Sequence, residues 1–347
     1  MPGVEELREA FKKIESLKKH LAFLDEAGKP FTPPQYLSTG ILSLDYITGG
    51  GFPVGHYTIV HGPEGAGKSG MLIDPILWAI DHPRINGETL YLALEPKIDT
   101  GLLFRLGVPY DKVTIVRSNK DDDDNRHTLT GDVAFDIIRS AIDQFDLIVV
   151  DSVGSMSPAV AHLADAGANQ YALVARLLSS QLPLVTALLA ASDTALVMID
   201  QERASMQTYG AQFKPFGGYA FLYHAALIFR MTLAGLIPPR KGGEGISVRA
   251  IVDKNSFGPN RRDAFWDVYF ETGVDKVKVA FEFGKSIGVI NSHSCKIGEL
   301  VLNHPGQRGG DDAVARLKEE PDLFTAMYRL VMEGFRAEDD GEDYSSP

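Results

Sequence analysis

The run from His61 to Gly70, HGPEGAGKSG, constrains the fold of this chain more than any other stretch. Gly62, Gly67, Lys68 and Ser69 have the G-x-x-x-x-G-K-[ST] spacing of a loop that wraps around phosphate groups. In such a loop, backbone N–H groups surround phosphate oxygens, the lysine reaches the terminal phosphates and the hydroxyl binds magnesium. The apolar run HYTIV precedes the motif and a helical pattern follows it, as this type of loop requires. The sequence therefore predicts a nucleotide phosphate site here. The residues assigned to it are Gly62, Pro63, Glu64, Gly65, Ala66, Gly67, Lys68, Ser69 and Gly70.

Short apolar runs alternate with longer helical stretches from about residue 36 onward, which is typical of βαβ units. Runs such as DLIVV and ALVMI are apolar almost without interruption, and this favours parallel strands covered on both faces by helices. A helix is predicted over Lys68–Ile80. The fold class is therefore predicted to be α/β with a mostly parallel central sheet. The predicted strands are His56–Val60, Thr89–Leu94, Asp146–Val150, Ala195–Ile199, Ala226–Thr232 and Ser247–Asp253.

The two ends of the chain differ from this central pattern. Residues 1–35 contain apolar residues at helical spacing and then a linker rich in Pro and Gly, which we expect to serve as an oligomerisation arm. Folding of this helix back onto its own core is an equally open alternative. The core is expected over 36–270, followed by a small α+β domain over 271–336 with a helical stretch broken at Pro321. The acidic residues 337–347 are expected to be a disordered tail.

Composition narrows the class of protein further. The chain has 347 residues, of which 44% are hydrophobic, but no uninterrupted apolar run of about 18 residues and no signal-like start. A cytoplasmic protein without a membrane partner is expected. Cys295 is the only cysteine, which excludes an internal disulfide and a cysteine-based zinc site. The net charge of −12 disfavours nucleic acid, yet much of the acid is concentrated in Asp121–Asp124 and the tail. A mildly basic groove elsewhere therefore stays compatible with the sequence.

Polar residues follow three of the predicted strands. Asp151 ends FDLIVVD, Glu95 ends TLYLALE and Gln201 ends ALVMIDQ. Because the carboxyl ends of parallel strands lie at one edge of the sheet, these side chains are predicted to converge on Lys68. Asp151 would support magnesium, a carboxylate beside the γ-phosphate can act as general base, and an amide can sense that phosphate. The sequence thus predicts a magnesium-dependent nucleotide hydrolase.

At this point the sequence resembles the RecA family of recombinases. The resemblance covers residues 36 to 335 and includes motifs that P-loop proteins in general do not share. The similar segments are LSTGILSLD (37–45), GPEGAGKS (62–69), EPKIDTGLLFRLGV (95–108), FDLIVVDSV (145–153), ARLLS (175–179), Gly217-Gly218 and Gly306-Gln307.

The resemblance implies a RecA-like ATPase core that uses ATP and Mg²⁺. Glu95 would activate water, Lys68 and Ser69 would hold phosphates and metal, Asp151 would support the metal, and Asp99 would lie near the adenine. Gln201 would couple the γ-phosphate to the loop that follows it. The sequence departs from the family at Leu102, where many relatives have an aromatic platform for adenine. The family's paired lysines from the adjacent subunit align with a segment that has only Lys254, with Arg261 or Arg262 as further cations.

The family's two DNA-binding loops are expected within Ser157–Asn169 and Glu202–Phe216. The second loop carries basic residues for phosphates and aromatic residues that can stack on bases. A lid over the nucleotide, or a loop covered by a neighbouring subunit, is the alternative interpretation. The residues expected to bind DNA are Arg176, Arg203, Met206, Tyr209, Phe213 and Lys214.

The resemblance therefore implies an ATP-dependent recombinase that forms helical filaments on single-stranded DNA and pairs it with duplex DNA. Single-strand-binding and mediator proteins are expected as further partners. Two alternatives stay open: another RecA-like ATPase, such as a ring helicase or a clock-type ATPase, and a non-catalytic recombination accessory protein.

Overall fold

The computed structural model describes residues 35–95, 101–120, 126–158, 170–202, 218–240 and 243–339. Its helices are α1 (Leu42–Thr48), α2 (Lys68–Met71), α3 (Ile73–Asp81), α4 (Gly101–Arg105), α5 (Gly131–Ala141), α6 (Gln170–Leu189), α7 (Gly218–His224), α8 (Lys276–Ser286), α9 (Gly310–Glu319) and α10 (Pro321–Asp339). Its strands are β1 (Tyr36–Leu37), β2 (Phe52–Pro53), β3 (Tyr57–Gly62), β4 (Thr89–Ala93), β5 (Val113–Arg117), β6 (Asn119–Lys120), β7 (Arg126–His127), β8 (Leu147–Asp151), β9 (Ala195–Gln201), β10 (Leu227–Arg240), β11 (Gly243–Asn255), β12 (Asp263–Tyr269), β13 (Gly273–Val274), β14 (Lys296–Ile297) and β15 (Leu300–Val301).

A nine-stranded sheet forms the centre of the described chain. Its strand order is β13-β12-β11-β10-β3-β9-β8-β4-β5. The six strands from β10 to β5 are mutually parallel, and β11, β12 and β13 extend the sheet in antiparallel fashion. The predicted α/β class with a mostly parallel sheet is confirmed.

The central strands are buried on both faces, which explains their uninterrupted apolar sequences. Along β8, Leu147 and Val149 belong to one hydrophobic cluster, whereas Ile148 and Val150 belong to the other. Side chains of a strand point alternately to the two faces of a sheet, so a strand between two helical layers needs an apolar residue at every position. Each such side chain contributes about 1.5–3 kcal/mol by its burial.

All six predicted strands occur, with differences at their ends. β10 and β11 are 14 and 13 residues long, much longer than predicted, because they continue as an antiparallel hairpin beyond the four residues that β10 pairs with β3. The helix predicted over Lys68–Ile80 is divided at Leu72 into α2 and α3.

Helix α6 is the described helix whose length and composition resemble those of a membrane span. Its window Ala172–Leu189 has a mean hydropathy of 1.6. Within that window Val174, Leu178 and Leu182 are fully buried in the cluster that also contains the β8 residues Ile148 and Val150. Packing against the sheet therefore accounts for much of this apolar character.

The segment after residue 271 contains helices α8–α10 and the β14–β15 hairpin, so its α+β content agrees with the sequence. It packs on the core: Tyr46 of α1 and Phe283 of α8 have ring centroids 5.1 Å apart. α10 continues to Asp339, beyond the predicted start of the tail. Residues 1–34, the acidic run 121–125 and residues 340–347 lie outside the described chain.

Candidate nucleotide site at the strand ends

The phosphate loop connects the end of β3 to the start of α2. At Gly62, φ is 151° and an added Cβ would lie 2.1 Å from the carbonyl oxygen of Met231, so only glycine allows β10 to come this close. Gly65 and Gly67 have φ of 76° and 81°, in the left-handed region that favours glycine. The glycines of the motif are thus required by the backbone path of the loop.

Lys68 lies inside this loop. Its side chain is largely buried, and Nζ donates hydrogen bonds to the carbonyl oxygens of Gly62 and Pro63 over 2.8 and 2.7 Å. Burial lowers the pKa of the Lys68 ammonium, while nearby carboxylates, foremost Asp151, oppose that shift. An ammonium has three donors, so these two bonds leave one for a phosphate oxygen.

Ser69, Tyr91 and Asp151 form a hydrogen-bonded group beside Lys68. Ser69 Oγ donates to Asp151 Oδ2 over 2.8 Å, and the Tyr91 hydroxyl donates to the same oxygen over 2.6 Å. Burial raises the pKa of Asp151, and the hydrogen bonds from Tyr91 and Ser69 limit that rise. The carboxylate is thus held in one orientation at the end of β8.

Glu95 and Gln201 are in direct contact. Gln201 Nε2 donates to Glu95 Oε2 over 2.7 Å. Glu95 follows β4, Gln201 ends β9, and β8 with Asp151 lies between these strands. The backbone N–H groups of Leu94 and Glu95 both donate to the carbonyl oxygen of Asp151, over 2.8 and 3.1 Å, which fastens the Glu95 backbone to the end of β8.

These groups line one cavity of about 280 Å³. Its wall is made by residues 64–70 of the phosphate loop and helix, by the strand-end side chains and by two leucines. Leu102 is one of these leucines, so the wall offers an apolar contact where the family resemblance implies an aromatic platform. The cavity is lined by Glu64, Gly65, Ala66, Gly67, Lys68, Ser69, Gly70, Tyr91, Glu95, Leu102, Leu103, Asp151, Ile199 and Gln201.

The oxygen ligands in this cavity fit magnesium. Mg²⁺ prefers hard oxygen ligands and is usually bound by one or two protein groups together with substrate phosphates and water. Ser69 and Asp151 supply a hydroxyl and a carboxylate 2.8 Å apart. Among the residues that the structure describes, no cluster of three or more His, Cys, Asp or Glu side chains could hold a metal by itself. A site completed by nucleotide phosphates agrees with this arrangement.

Lys254 is directed elsewhere. Its Nζ donates to the carbonyl oxygens of Leu222 and Tyr223 over 3.2 and 2.9 Å, at the carboxyl end of α7. Burial lowers the pKa of this ammonium. Within this chain Lys254 therefore caps α7, and it does not line the nucleotide cavity.

The predicted DNA-binding residues fall mostly outside the described ranges. Arg176 is exposed on α6. Residues assigned to the adenine and to the second loop lie in the ranges 96–100 and 203–217, which are not described; they are Asp99, Arg203, Met206, Tyr209, Phe213 and Lys214.

Two features of the site were not anticipated from the sequence. Tyr91 contacts Asp151, and buried His61 contacts Glu202 and Asp253. The period-2 pattern of TLYLALE puts Tyr91 on the same strand face as Glu95, which could have identified it. His61 is a polar residue in an apolar strand, but its partners come from distant parts of the chain.

Comparison with known proteins identifies the family of this chain. The family model described as the RecA N-terminal domain matches residues 5–275. The chain belongs to the RecA family. Protein RecA of Thermus thermophilus is 30% identical over 335 residues, covering 94% of this chain and 93% of that protein. Protein RecA of Gluconacetobacter polyoxogenes is 27% identical over 341 residues, covering 96% and 93%.

Among solved structures, the crystal structure of the RadB recombinase is similar to 69% of this chain and 98% of its own, with 22% identity and a TM-score of 0.47. The family match and the RecA relatives identify this protein as a RecA-family recombinase; members of that family are ATPases that use ATP and Mg²⁺, bind DNA and form oligomers.

Proposed function

We propose that this RecA-family protein is an ATP-dependent DNA recombinase that forms helical filaments on single-stranded DNA and catalyses homologous pairing and strand exchange. The observation that carries the proposal is the 2.7 Å hydrogen bond between Gln201 and Glu95. It joins the carboxylate assigned to water activation to the last residue of β9, which directly precedes the range Glu202–Phe216 expected to contain the second DNA-binding loop.

ATP hydrolysis follows from the roles of the cavity residues. Lys68 donates to the terminal phosphates, and the positive end of α2 and the loop N–H groups bind their oxygens. Ser69 and Asp151 would hold Mg²⁺, which would offset the negative charge of the phosphates. Glu95 orients the attacking water and accepts its proton, and Gln201 reports the γ-phosphate by exchanging its hydrogen bond with Glu95 for one to the phosphate.

DNA binding is supported by exposed side chains on α6 and α7. Arg176 is exposed on α6, within the ARLLS segment that resembles the family. Tyr219 and Tyr223 on α7 are 92% and 78% exposed. Exposed aromatic rings beside basic residues suit single-stranded DNA, because bases stack on the rings while cations contact phosphates.

Assembly and location complete the proposal. Head-to-tail contacts that do not close generate a helical filament. The protein would act in the cytoplasm, on single-stranded and duplex DNA, together with single-strand-binding and mediator proteins.

The test measures ATP hydrolysis with and without single-stranded DNA, paired with negative-stain microscopy. We expect stimulation by the DNA and open filaments in the presence of ATP. Hydrolysis without stimulation, with closed rings, would instead indicate a ring helicase or a clock-type ATPase. Absence of hydrolysis under all conditions would indicate a non-catalytic accessory protein.

A further inference from the structure

His61 is a buried histidine with a carboxylate at each ring nitrogen. Nδ1 lies 2.9 Å from Glu202 Oε1, and Nε2 lies 2.7 Å from Asp253 Oδ2. The His61 side chain has 0% exposure. Glu202 is also bound by Arg230, whose Nε and Nη2 contact its two carboxylate oxygens over 2.6 and 2.7 Å.

With both carboxylates ionised, this geometry requires a charged imidazole ring. A neutral imidazole has one donor and one acceptor, so one of its nitrogens would face a carboxylate lone pair with a lone pair of its own. An imidazolium donates from both nitrogens. The network then contains two cations, His61 and Arg230, and two anions, Glu202 and Asp253, and its charge balances.

The four residues come from four neighbouring strands of the sheet. Asp253 lies on β11, Arg230 on β10 and His61 on β3, and Glu202 directly follows β9; the strand order is β11-β10-β3-β9. The contacts link β3 to β9 through His61–Glu202, β3 to β11 through His61–Asp253, and β10 to β9 through Arg230–Glu202, so the network connects all four strands and holds the ends of β3 and β9.

The strand ends held in this way belong to the nucleotide site. Gly62, the first residue of the phosphate motif, directly follows His61 and pairs with Gln201 at the end of the β3–β9 ladder. Beyond this pair, the Glu202 N–H donates to the Gly62 carbonyl over 3.1 Å. On its other side β9 pairs with β8 only as far as Met198, so the last residues of β9 are held by β3 and by the side-chain contacts of Glu202.

We infer that His61 is a positioning residue for the nucleotide reaction: through Glu202 it holds the end of β9 against the phosphate loop, so that Gln201 reaches Glu95 and the γ-phosphate. The role of Gln201 in this inference rests on the proposed function. The inference adds that recognition of a triphosphate, as opposed to a diphosphate, depends on the charge of a residue that does not itself line the cavity.

The charges around the ring determine the sign of the pH dependence. Burial alone lowers the pKa of His61, but the hydrogen bonds to Asp253 and Glu202 outweigh it, and the pKa is raised. For Glu202, burial alone raises the pKa, but the hydrogen bonds from His61 and Arg230 outweigh this effect and lower the pKa to about 2. Lys68 on α2 is a further cation near Glu202. The network is therefore intact below the raised pKa of His61 and is lost as the pH rises through it.

The test compares the wild type with His61→Phe, which keeps a flat ring of similar size and removes both donors. Two sets of measurements are made across pH. The first is the affinity for a non-hydrolysable ATP analogue divided by the affinity for ADP, called the affinity ratio. The second is the kcat and the KM of ATP hydrolysis. In His61→Phe we expect the affinity ratio and kcat to fall roughly tenfold, with the ADP affinity nearly unchanged, because a small displacement of a reacting group is costly. The wild-type ratio falls at alkaline pH, and that of the variant is flat.

His304→Phe is the matched control. His304 also bridges two carboxylates, Asp312 at 2.9 Å and Glu319 at 3.1 Å, but on the C-terminal segment. This variant is expected to leave the affinity ratio and kcat unchanged. If His61→Phe fails to fold, Arg230→Met tests the same network from its half-exposed end and is expected to lower the affinity ratio in the same direction.

The inference is overturned if the variant keeps the wild-type affinity ratio and pH profile, or if the ADP affinity falls as much as the analogue affinity. The latter would show that the network supports only the phosphate loop. The affinity ratio needs neither DNA nor hydrolysis. A wild-type protein that hydrolyses no ATP would therefore contradict the proposed function, while the affinity ratio would still decide the role of His61.

Discussion

The hydroxyl of Tyr91 and the carboxylate of Asp151 are 2.6 Å apart, and both side chains are buried. Tyr91 and Asp151 belong to adjacent parallel strands, β4 and β8, and the hydroxyl shares Oδ2 of Asp151 with Ser69. A carboxylate bound in this way cannot rotate freely. The orientation of Asp151, the proposed metal ligand, therefore depends on a residue that does not belong to the phosphate motif.

Tyr91→Phe is expected to weaken magnesium use. Loss of a buried hydrogen bond to a charged group costs about 1.5–3 kcal/mol. Since the bond from Tyr91 lowers the pKa of Asp151, the variant should have a still higher pKa there. Activity that needs the carboxylate is lost as the pH falls through this pKa, so the acidic limb of the pH–rate profile should move to higher pH. The magnesium dependence of hydrolysis, measured at several pH values, checks both effects; an unchanged acidic limb would contradict the assignment.

Glu95→Gln is expected to reduce ATP hydrolysis by about 10²–10⁴-fold, the usual contribution of a positioned general base. Nucleotide affinity should change little, because the amide has nearly the same shape. Glu88→Gln is the matched control, since Glu88 precedes the opposite end of the same strand, β4. Hydrolysis by the Glu95 variant at the wild-type rate would remove the catalytic assignment.

Gly62→Ala and Gly70→Ala should have opposite effects on stability. A Cβ at position 62 would meet the Met231 carbonyl oxygen at 2.1 Å in a strained conformation, which we expect to cost more than about 2 kcal/mol. A Cβ at position 70, within α2, meets nothing within 4 Å and should stabilise the helix by up to about 1 kcal/mol. Urea unfolding of both variants provides the measurement. Equal stabilities would contradict the close approach of β10.

The Lys254→Met variant tests whether Lys254 only caps helix α7 or also takes part in ATP hydrolysis. Removing a cation that binds the last carbonyl groups of α7 should destabilise the protein by about 1 kcal/mol. The control is Lys112→Met, because Lys112 Nζ binds a single exposed carbonyl oxygen, that of Asn86. If the variant still folds and assembles but its kcat for ATP hydrolysis falls strongly, Lys254 also acts on the nucleotide of a neighbouring subunit.

Much of the fold could be predicted from local sequence. The segments Leu147–Val150 and Ala195–Ile199 are apolar at every position because both faces of their strands are buried, and this signal does not depend on the partners of each strand. The long β10–β11 hairpin could not be predicted in this way. β10 and β11 pair with each other well beyond the four residues of β10 that pair with β3. Local sequence patterns do not show where such pairing between strands ends.

The sequence by itself determined which groups are candidates for the nucleotide site: a glycine-rich phosphate loop, a strand-end aspartate proposed to hold the metal, and Glu95 and Gln201 at the ends of two further strands. Only the tertiary structure decided which of these groups touch. Glu95 and Gln201 meet across the end of β8 because the strand order is β9-β8-β4, and strand order is a property of the packed sheet. His61 acquires its two carboxylates for the same reason, since Glu202 and Asp253 are 141 and 192 residues away in the chain.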